Sequence, residues 1–444
     1  MAEARAPFAA LRGKTPEEAF GCLATPCYIL DESALRRNGE ILAGVAARTG
    51  CRWLLAQKAF SNYDCYPVLA PYLAGTEASG LFEARLGYET LPEKEVHVFC
   101  GAYREQDFAE LLQYAGHIVF NSPAQLAKFG PRAKAAGKSL GLRVNPEKST
   151  QEGHEIYDPC APGSRLGTTR EQWNRYMTPE LIALLDGLHF HTLCEQDSDA
   201  LEVTLEAVAE KFGDVLPRMK WLNMGGGHHV TRPDYDIPRL ERCIRFAQEK
   251  WGVTVYLEPG EAWALNAGFL ASRVLDITEN GRVVNAILDC SAACHMPDVI
   301  EMPYLPPVYG AHGGTSTACP PVGEDPLVCH SEHSEESVSP PLENTDCHGQ
   351  CAHWSRNDRS NVYRLGGPSC LSGDVIGDYC FDCPLKEGDL VLFGDLAIYS
   401  TCKNNTFNGM PLPNIYRRTE DGTLERLTVF SYNDFKMRLG RMKP

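Results

Sequence analysis

The sequence predicts an α/β protein in which a (β/α)8 barrel of the TIM type is joined to a second, mostly β domain. Between about Thr25 and Glu261, short apolar runs alternate with amphipathic segments, a pattern typical of parallel strands connected by helices. After Glu261 the chain changes to β-rich segments separated by turn signals, which indicates a separate β domain. A doubly wound sheet is the weaker alternative for the first part.

Eight apolar runs are the strand candidates of the barrel. In chain order they are CYIL, RWLLAQ, EVHVFC, HIVFN, SLGLRVN, LDGLHFH, MKWLNMGGG and VTVYLEPG. The segments between them, such as AQLAKFGPRAKAAG and DALEVTLEAVAEKF, carry apolar residues at helical spacing, and a further helix is expected to open at Asp31. FLASRVLDI, RVVNAILDC, DLVLFGDLAIYS and LTVFSYN are the β-rich segments of the second domain.

These patterns divide the chain into four parts. We expect an N-terminal extension at 1–24, the barrel at 25–265, the β domain at 266–311 and 359–444, and a low-complexity insertion at 312–358. The insertion is rich in Ser, Glu, Pro, Gly and His and poor in aromatic residues, so it cannot bury enough apolar area to offset chain entropy. It is predicted to be disordered, and its CHSEHSEESVSPP stretch resembles a translated repeat element.

Composition excludes several functional classes. The formal net charge is −16, which argues against binding to nucleic acid and would favour cationic small molecules if the acids converge on a cleft. The sequence has neither a long uncharged apolar run nor an apolar signal segment near its start, so we expect no membrane association and a cytoplasmic location.

The cysteine pattern gives only a weak metal signal. Eighteen cysteines are spread along the chain, which favours reduced thiols over a disulfide framework. Cys380 and Cys383 form a CxxC pair, and a second group, Cys347, His348, Cys351 and His353, lies within the insertion. The two groups lie in dissimilar contexts, so we predict no metal site.

Polar residues at the ends of the strand candidates are the candidate functional residues. They are Lys58, Asn145, His191, the Gly225–Gly227 run and Glu258, and one face of a barrel would gather them. A lysine after a buried strand needs a reason, and a Schiff base to a carbonyl cofactor supplies one. Each also has a structural alternative: a lysine that reaches solvent, a hydrogen-bonded histidine, or a plain glycine turn.

The order of these motifs resembles a known superfamily. A lysine after a strand, then HFH, GGG, EPG, GPSC and a late-strand tyrosine is similar to the fold-type III decarboxylases that use pyridoxal 5'-phosphate (PLP). The segments YDPCAPGSRLG, GLHFHTLCEQD, WLNMGGGHHVTRPDYD, CHMPDVIEMPY and GGPSCLSGDVIGDY resemble the carboxynorspermidine/carboxyspermidine decarboxylase branch. This resemblance covers nearly all of the chain outside the extension and the insertion.

The resemblance implies a role for each matching residue. Lys58 would carry PLP, His191 would stack on its ring, and Glu258 would hold the ring nitrogen protonated. The phosphate would be bound by Gly226, Gly227 and Tyr399. Cys370 matches a cysteine that reaches the active site from a second subunit and protonates the carbon left by CO₂, which implies a homodimer with shared active sites.

Two departures from related enzymes bear on the substrate. Glu261 stands where ornithine decarboxylases have arginine, and Leu371 stands where they have aspartate, with Asp374 three residues further on. Glu261, Asp298 and Asp374 are therefore the predicted substrate-binding residues, with Glu301 a possible addition, because carboxylates suit a substrate with extra amines.

The predicted reaction is PLP-dependent decarboxylation of carboxynorspermidine or carboxyspermidine to norspermidine or spermidine. These precursors differ by one methylene, so the sequence does not rank them. The alternatives are a decarboxylase of diaminopimelate, ornithine or arginine, and a PLP-binding protein without catalysis.

Overall fold

The chain folds into a closed barrel of eight parallel strands and a separate nine-stranded sheet. The computed structural model describes residues 7–151, 158–312 and 361–441. The predicted fold class, a TIM-like barrel with a second, mostly β domain, is confirmed.

In chain order the strands are β1 (Cys27–Asp31), β2 (Arg52–Ala56), β3 (Gly75–Ala78), β4 (Glu95–Phe99), β5 (His117–Phe120), β6 (Ser139–Arg143), β7 (Gly187–His189), β8 (Trp221–Asn223), β9 (Thr254–Leu257), β10 (Gly268–Asn280), β11 (Val283–Leu288), β12 (Ala311–His312), β13 (Val362–Gly366), β14 (Val375–Phe381), β15 (Leu390–Gly394), β16 (Asn414–Arg418) and β17 (Leu424–Thr428). The barrel strands, β2 to β9, have three to five residues each, which is within the usual range of strand lengths.

Most of the helices connect barrel strands. They are α1 (Pro16–Phe20), α2 (Glu32–Thr49), α3 (Tyr66–Leu69), α4 (Leu81–Thr90), α5 (Glu105–Tyr114), α6 (Pro123–Ala135), α7 (Arg170–Tyr176), α8 (Pro179–Leu184), α9 (Ser198–Phe212), α10 (Ile237–Trp251), α11 (Glu261–Ala264), α12 (Ala292–His295), α13 (Asp298–Glu301) and α14 (Tyr432–Met437). The helix expected to open at Asp31 is α2, whose N-cap carboxylate accepts a hydrogen bond from Ala34 N–H at 2.7 Å. The two amphipathic segments singled out above are α6 and α9.

One strand assignment from the sequence is wrong. The CYIL run, β1, lies in the sheet, where it pairs with β10 and β16, and the barrel is formed by β2 to β9. The missing barrel strand is β3, with the sequence GTEA. Glycine and glutamate are poor strand formers, so β3 has no apolar signature although all four of its residues are buried.

A tryptophan fills the floor of the barrel. Trp221 on β8 lies over two glycines of neighbouring strands, Gly141 and Gly187, and a Cβ atom at Gly187 would lie 2.0 Å from the indole ring. Only residues without a side chain leave room for the indole here.

The nine-stranded sheet also binds the segment that precedes β1. Its strand order is β12, β14, β13, β11, β10, β1, β16 and β17, with β15 also paired to β10. Phe8 and Phe20 both pack on Phe269 of β10, with ring centroids 6.2 and 5.7 Å apart. The described part of the predicted extension is therefore a cover over this sheet.

The predicted insertion lies almost wholly outside the described residues. The two strands that flank it, β12 and β13, both pair with β14, so the insertion connects two elements that are close in space. Within the described ranges, no helix is both long and apolar enough to cross a membrane.

Candidate active site

Lys58 lies two residues beyond the end of β2, at the end of the barrel where the parallel strands finish. Its exposed side chain lines a cavity of about 340 Å³. Polar groups at or near the ends of several strands also line it, namely Glu77, Arg143, His189, His191, Gly226 and Glu258, together with Ser79 and Arg165. Asn145 is not among them, because its side-chain oxygen accepts a hydrogen bond from Glu147 N–H at 2.8 Å instead.

Glu258 is a buried carboxylate with two hydrogen-bond partners. His189 Nε2 lies 3.1 Å from one oxygen, and the Asn223 side-chain amide donates to the other. Burial alone would raise the pKa of Glu258, but the His189 imidazole and the Asn223 amide hold the pKa below its usual value. The carboxylate is therefore ionised at neutral pH and can face a cationic group.

His191 is held as a neutral ring by its surroundings. Burial, together with the charges of Lys58 and Arg143, holds the pKa of His191 well below its usual value. Its Nδ1 accepts a hydrogen bond from Gly226 N–H at 2.9 Å, so the ring proton lies on Nε2. A Cβ atom at Gly226 would lie 2.4 Å from the Glu258 carbonyl oxygen, so this position requires glycine.

Sequence reasoning missed two residues of this cavity, Glu77 and Arg143. Burial and then the charge of Glu258 raise the pKa of Glu77 well above its usual value, which favours the neutral form of this carboxyl. Burial lowers the pKa of Arg143 to about 10, which leaves it cationic, and its guanidinium donates to the His191 carbonyl at 2.9 Å. A charged residue inside the buried GLRVN run was the available signal for Arg143.

A second cavity, of about 920 Å³, is lined by four carboxyl side chains: Glu195, Glu261, Asp298 and Asp395. Tyr399 lies in its wall, and the Tyr399 N–H donates to the Ala59 carbonyl at 2.9 Å. The Cys402 thiol similarly lies 3.0 Å from the Lys58 carbonyl oxygen. These contacts hold the wall of the acid-lined cavity against the segment that carries Lys58.

Two of the four carboxylates form ion pairs with cations of the same chain. Glu261 lies against His229 Nε2; burial opposes protonation of His229, but the Glu261 carboxylate raises its pKa above the usual value. Asp298 pairs with Lys403, whose Nζ also lies 2.8 Å from Glu301 Oε2. The predicted substrate residues Glu261 and Asp298 therefore line one cavity, and each has an internal partner.

Asp395 is a further acid that the sequence did not single out. Burial raises its pKa to about 6, although one of its oxygens accepts a hydrogen bond from Asn266 N–H at 2.6 Å. Asp395 and Glu195 line the same cavity, and in the described part of the chain neither of these two carboxyls forms an ion pair. The cavity thus has a surplus of negative charge.

Cys370 and Asp374 do not line either of these two cavities. Cys370 is exposed, and its thiol contacts the Asn408 side-chain oxygen at 3.1 Å. Asp374 is 4% exposed and accepts hydrogen bonds from the hydroxyls of Ser291 and Ser369. Asp374 therefore fixes the loop that carries Cys370. A role of Cys370 in catalysis, or of Asp374 in substrate binding, would require a second subunit.

Three potential metal ligands meet on the barrel floor, but they lack the geometry of a metal site. Glu95, His97 and His117 place one donor atom each within 4.8 Å of one another. The two imidazoles are stacked, with centroids 3.9 Å apart and planes 10° from parallel. Zinc requires ligand lone pairs that converge on one point, and an ion cannot lie in the planes of two parallel rings. Glu95 also pairs with Arg52 at 2.8 Å.

The cysteine pair noted in the sequence does not join a larger ligand group among the described residues. Cys380 is buried in β14 and Cys383 is exposed. The other candidate group, Cys347, His348, Cys351 and His353, lies outside the described residues.

A lysine-bearing cavity at the strand ends of a barrel, joined to a separate sheet, defines the class of the protein. Residues 27–397 match the family described as "Pyridoxal-dependent decarboxylase, C-terminal sheet domain". The chain belongs to this family and, within it, to the carboxynorspermidine/carboxyspermidine decarboxylases, because a relative with that name in Campylobacter jejuni is 40% identical over 93% of this chain and 98% of its own length. The branch predicted from the sequence is confirmed.

Three further comparisons concern one relative and two solved structures. A carboxyaminopropylagmatine decarboxylase of Synechocystis is 37% identical over 94% of this chain and 96% of its own length. The crystal structure of the Campylobacter jejuni carboxynorspermidine decarboxylase in complex with norspermidine superposes with a TM-score of 0.77 at 38% identity, covering 94% of this chain and all of that one. A diaminopimelate decarboxylase from Helicobacter pylori has a TM-score of 0.73 at 14% identity, covering 96% of this chain and 99% of that one, which shows the fold alone.

Proposed function

We propose that the protein decarboxylates carboxynorspermidine and carboxyspermidine, releasing norspermidine and spermidine, with PLP bound at Lys58. The observation that carries the proposal is the cavity lined by Glu195, Glu261, Asp298 and Asp395 beside the Lys58 segment. A substrate with two amines beyond its reacting centre brings two positive charges into a cavity with surplus negative charge. A diaminopimelate substrate would bring a carboxylate instead and would be repelled.

The residues around Lys58 fit PLP at its ring. Lys58 supplies the amine that tethers the cofactor, the neutral His191 ring offers a flat face, and the ionised Glu258 would keep the ring nitrogen protonated. Gly226 N–H is donated to His191, so binding of the phosphate by Gly226, Gly227 and Tyr399 stays a prediction.

The two cavities have different proposed functions: the Lys58 cavity holds the cofactor, and the acid-lined cavity binds the substrate amines. PLP supplies the electron sink for the pair left when CO₂ departs. Glu258 would hold a proton at the ring nitrogen, and Arg143 would balance the charge of Glu258 inside the barrel. The acid-lined cavity orients the substrate by its amines, so that the scissile carboxylate lies away from the carboxyl groups that would repel it.

The last step of the proposed reaction requires a second subunit. Protonation of the product carbon is assigned to Cys370, which is exposed and remote from Lys58 of its own chain. Leu371 beside it and Phe82 near the Lys58 cavity are exposed apolar side chains, which suits a contact between subunits. A homodimer with shared active sites is therefore proposed, and the cytoplasm remains the predicted location.

A second candidate substrate is carboxyaminopropylagmatine, because the Synechocystis relative named for it matches nearly the whole chain. Its distal end is a guanidinium, which prefers a carboxylate in bidentate geometry. Direct comparison of turnover on the two substrates decides between them.

The acid-lined cavity is tested by neutralising its carboxylates. Asp395→Asn and Glu195→Gln should each lower kcat/KM for carboxynorspermidine by about tenfold or more, since leaving a substrate ammonium unpaired in a partly buried site costs about 2 to 5 kcal/mol. PLP occupancy, read from its absorbance, should stay unchanged. Glu279→Gln, at an exposed position of β10, is the matched control. Wild-type KM in both variants would overturn the proposed amine site.

A further inference from the structure

We infer that Lys403 occupies one cation position of the acid-lined cavity and thereby limits the number of amines that a substrate can bring into it. The inference rests on the proposed function, because it concerns the choice among polyamine-like substrates. It makes Lys403 a residue that determines specificity, and it gives Asp298 a role in substrate choice through Lys403.

The contacts of Lys403 place its ammonium at the cavity wall. Nζ forms an ion pair with Asp298 and lies 2.8 Å from Glu301 Oε2, and both acids belong to α13. It also lies 5.5 Å from the ring centroid of Tyr399. Asp298 and Tyr399 both line the cavity, so Lys403 stands where an ammonium of a bound substrate would otherwise pair with Asp298.

The charges of the cavity support this position. His229 pairs with Glu261, and Lys403 pairs with Asp298. Two lining carboxyls then remain without an ion pair in the described residues, Glu195 and Asp395. The side arm of carboxynorspermidine or carboxyspermidine carries two amines, one secondary and one terminal, so its charge matches the two remaining carboxyls.

A ligand with one more amine has no unpaired carboxyl left for its additional ammonium among the four acids that line the cavity. Its additional ammonium would compete with Lys403 for Asp298 and would stand close to a like charge in a half-buried site. The Lys403 side chain is 34% exposed and Asp298 is 14% exposed, so solvent screens this repulsion only in part. The wild-type protein should therefore prefer a triamine to the corresponding tetra-amine.

The test uses two product-like amines that need no turnover. Binding of norspermidine and of norspermine, which has one more aminopropyl unit, is measured by calorimetry on the PLP-loaded protein. Lys403→Met keeps a long apolar side chain and removes the charge. It should tighten binding of norspermine by about tenfold and change binding of norspermidine by less than about threefold, so the ratio of the two dissociation constants should shift by at least about threefold.

Three further variants test whether the change in norspermine binding depends on the charge of Lys403 and on its pairing with Asp298. Lys403→Arg keeps the charge and should keep the wild-type ratio of dissociation constants. Lys403→Met combined with Asp298→Asn should lose the gain for norspermine, because the freed carboxylate is gone. Lys220→Met is the matched control: it removes a lysine paired with Asp186 at 2.9 Å at the opposite end of the barrel.

The outcomes separate this inference from the proposed function. An unchanged ratio in Lys403→Met, or a gain that persists in the double variant, overturns the role of Lys403 while leaving the proposed function intact. Lys403→Gln is the substitute if Lys403→Met does not fold, and the same results decide. Wild-type protein that turns over no carboxylated polyamine and binds neither amine overturns both.

Discussion

Replacing Glu258 with glutamine should impair catalysis without removing the cofactor. The glutamine keeps the shape of the side chain and one acceptor oxygen, but it removes the negative charge beside the cofactor ring. At an effective dielectric constant of about 20, unit charges about 4 Å apart interact by about 4 kcal/mol. At about 1.36 kcal/mol per decade, the loss corresponds to about 10³-fold in kcat, and retained hydrogen bonds bring the expected loss to between about 10² and 10³.

The assay is steady-state CO₂ release under saturating PLP, with bound cofactor followed by absorbance. Glu77→Gln is the contrast within the same cavity: because burial and the charge of Glu258 raise the pKa of Glu77 and favour its neutral form, the neutral amide should cost less than about tenfold. The reasoning is refuted if Glu258→Gln keeps kcat within tenfold of wild type, or if Glu77→Gln is the more damaging change.

Three other predictions concern the anchor, the pH dependence and the barrel floor. Lys58→Ala should abolish turnover, and borohydride reduction of the wild type should attach a pyridoxyl label to the peptide that contains Lys58; a label on another lysine contradicts the assignment. The Asp395 carboxyl has a pKa of about 6, so it is protonated below that pH and ionised above it. KM for carboxynorspermidine should therefore fall as pH rises through about 6, while Asp395→Asn should lose this step, and a step that persists in the variant argues against Asp395. Gly187→Ala would place a Cβ atom 2.0 Å from the Trp221 ring and should lower the free energy of unfolding by about 1 to 3 kcal/mol, measured by denaturant titration. Gly44→Ala in α2, where the nearest atom belongs to the flexible end of Arg48, is its control and should be neutral or stabilising.

The sequence predicted the fold class because most barrel strands are apolar and most connecting helices are amphipathic. The number of barrel strands, eight, was predicted correctly, but one of the eight assigned segments, CYIL, belongs to the sheet. CYIL is strongly apolar because β1 is a fully buried strand of the sheet, and apolar content does not distinguish a sheet strand from a barrel strand. GTEA was missed because its burial results from closure of the barrel, a tertiary effect that local propensity does not contain.

The same limit explains what was missed in the site. Glu77 lies on the strand that the sequence analysis did not find, so it was never considered. Arg143 and Asp395 are ordinary charged residues until the fold buries them. Lys58, His191 and Glu258 could be found because each follows a clear apolar run. The pairing of Asp298 with Lys403, about one hundred positions later in the chain, depends on three-dimensional contacts that no local pattern reveals.

The role of Cys370 also lies beyond what a single chain shows. The sequence placed this residue in catalysis by resemblance, and the structure shows an exposed thiol on a loop fixed by the buried Asp374. Neither observation brings the thiol to Lys58. Completion of the site depends on the proposed dimer, a property of the assembly.

The central claim is that this protein removes CO₂ from a carboxylated polyamine. The most direct test is CO₂ release by the purified, PLP-loaded protein on four substrates assayed in parallel: carboxynorspermidine, carboxyspermidine, carboxyaminopropylagmatine and diaminopimelate. We expect kcat/KM on carboxynorspermidine or carboxyspermidine to be the highest of the set and to exceed that on diaminopimelate by at least about 100-fold, because the surplus acids repel a distal carboxylate. Preferred turnover of diaminopimelate, or no CO₂ release from either carboxylated triamine, would contradict it.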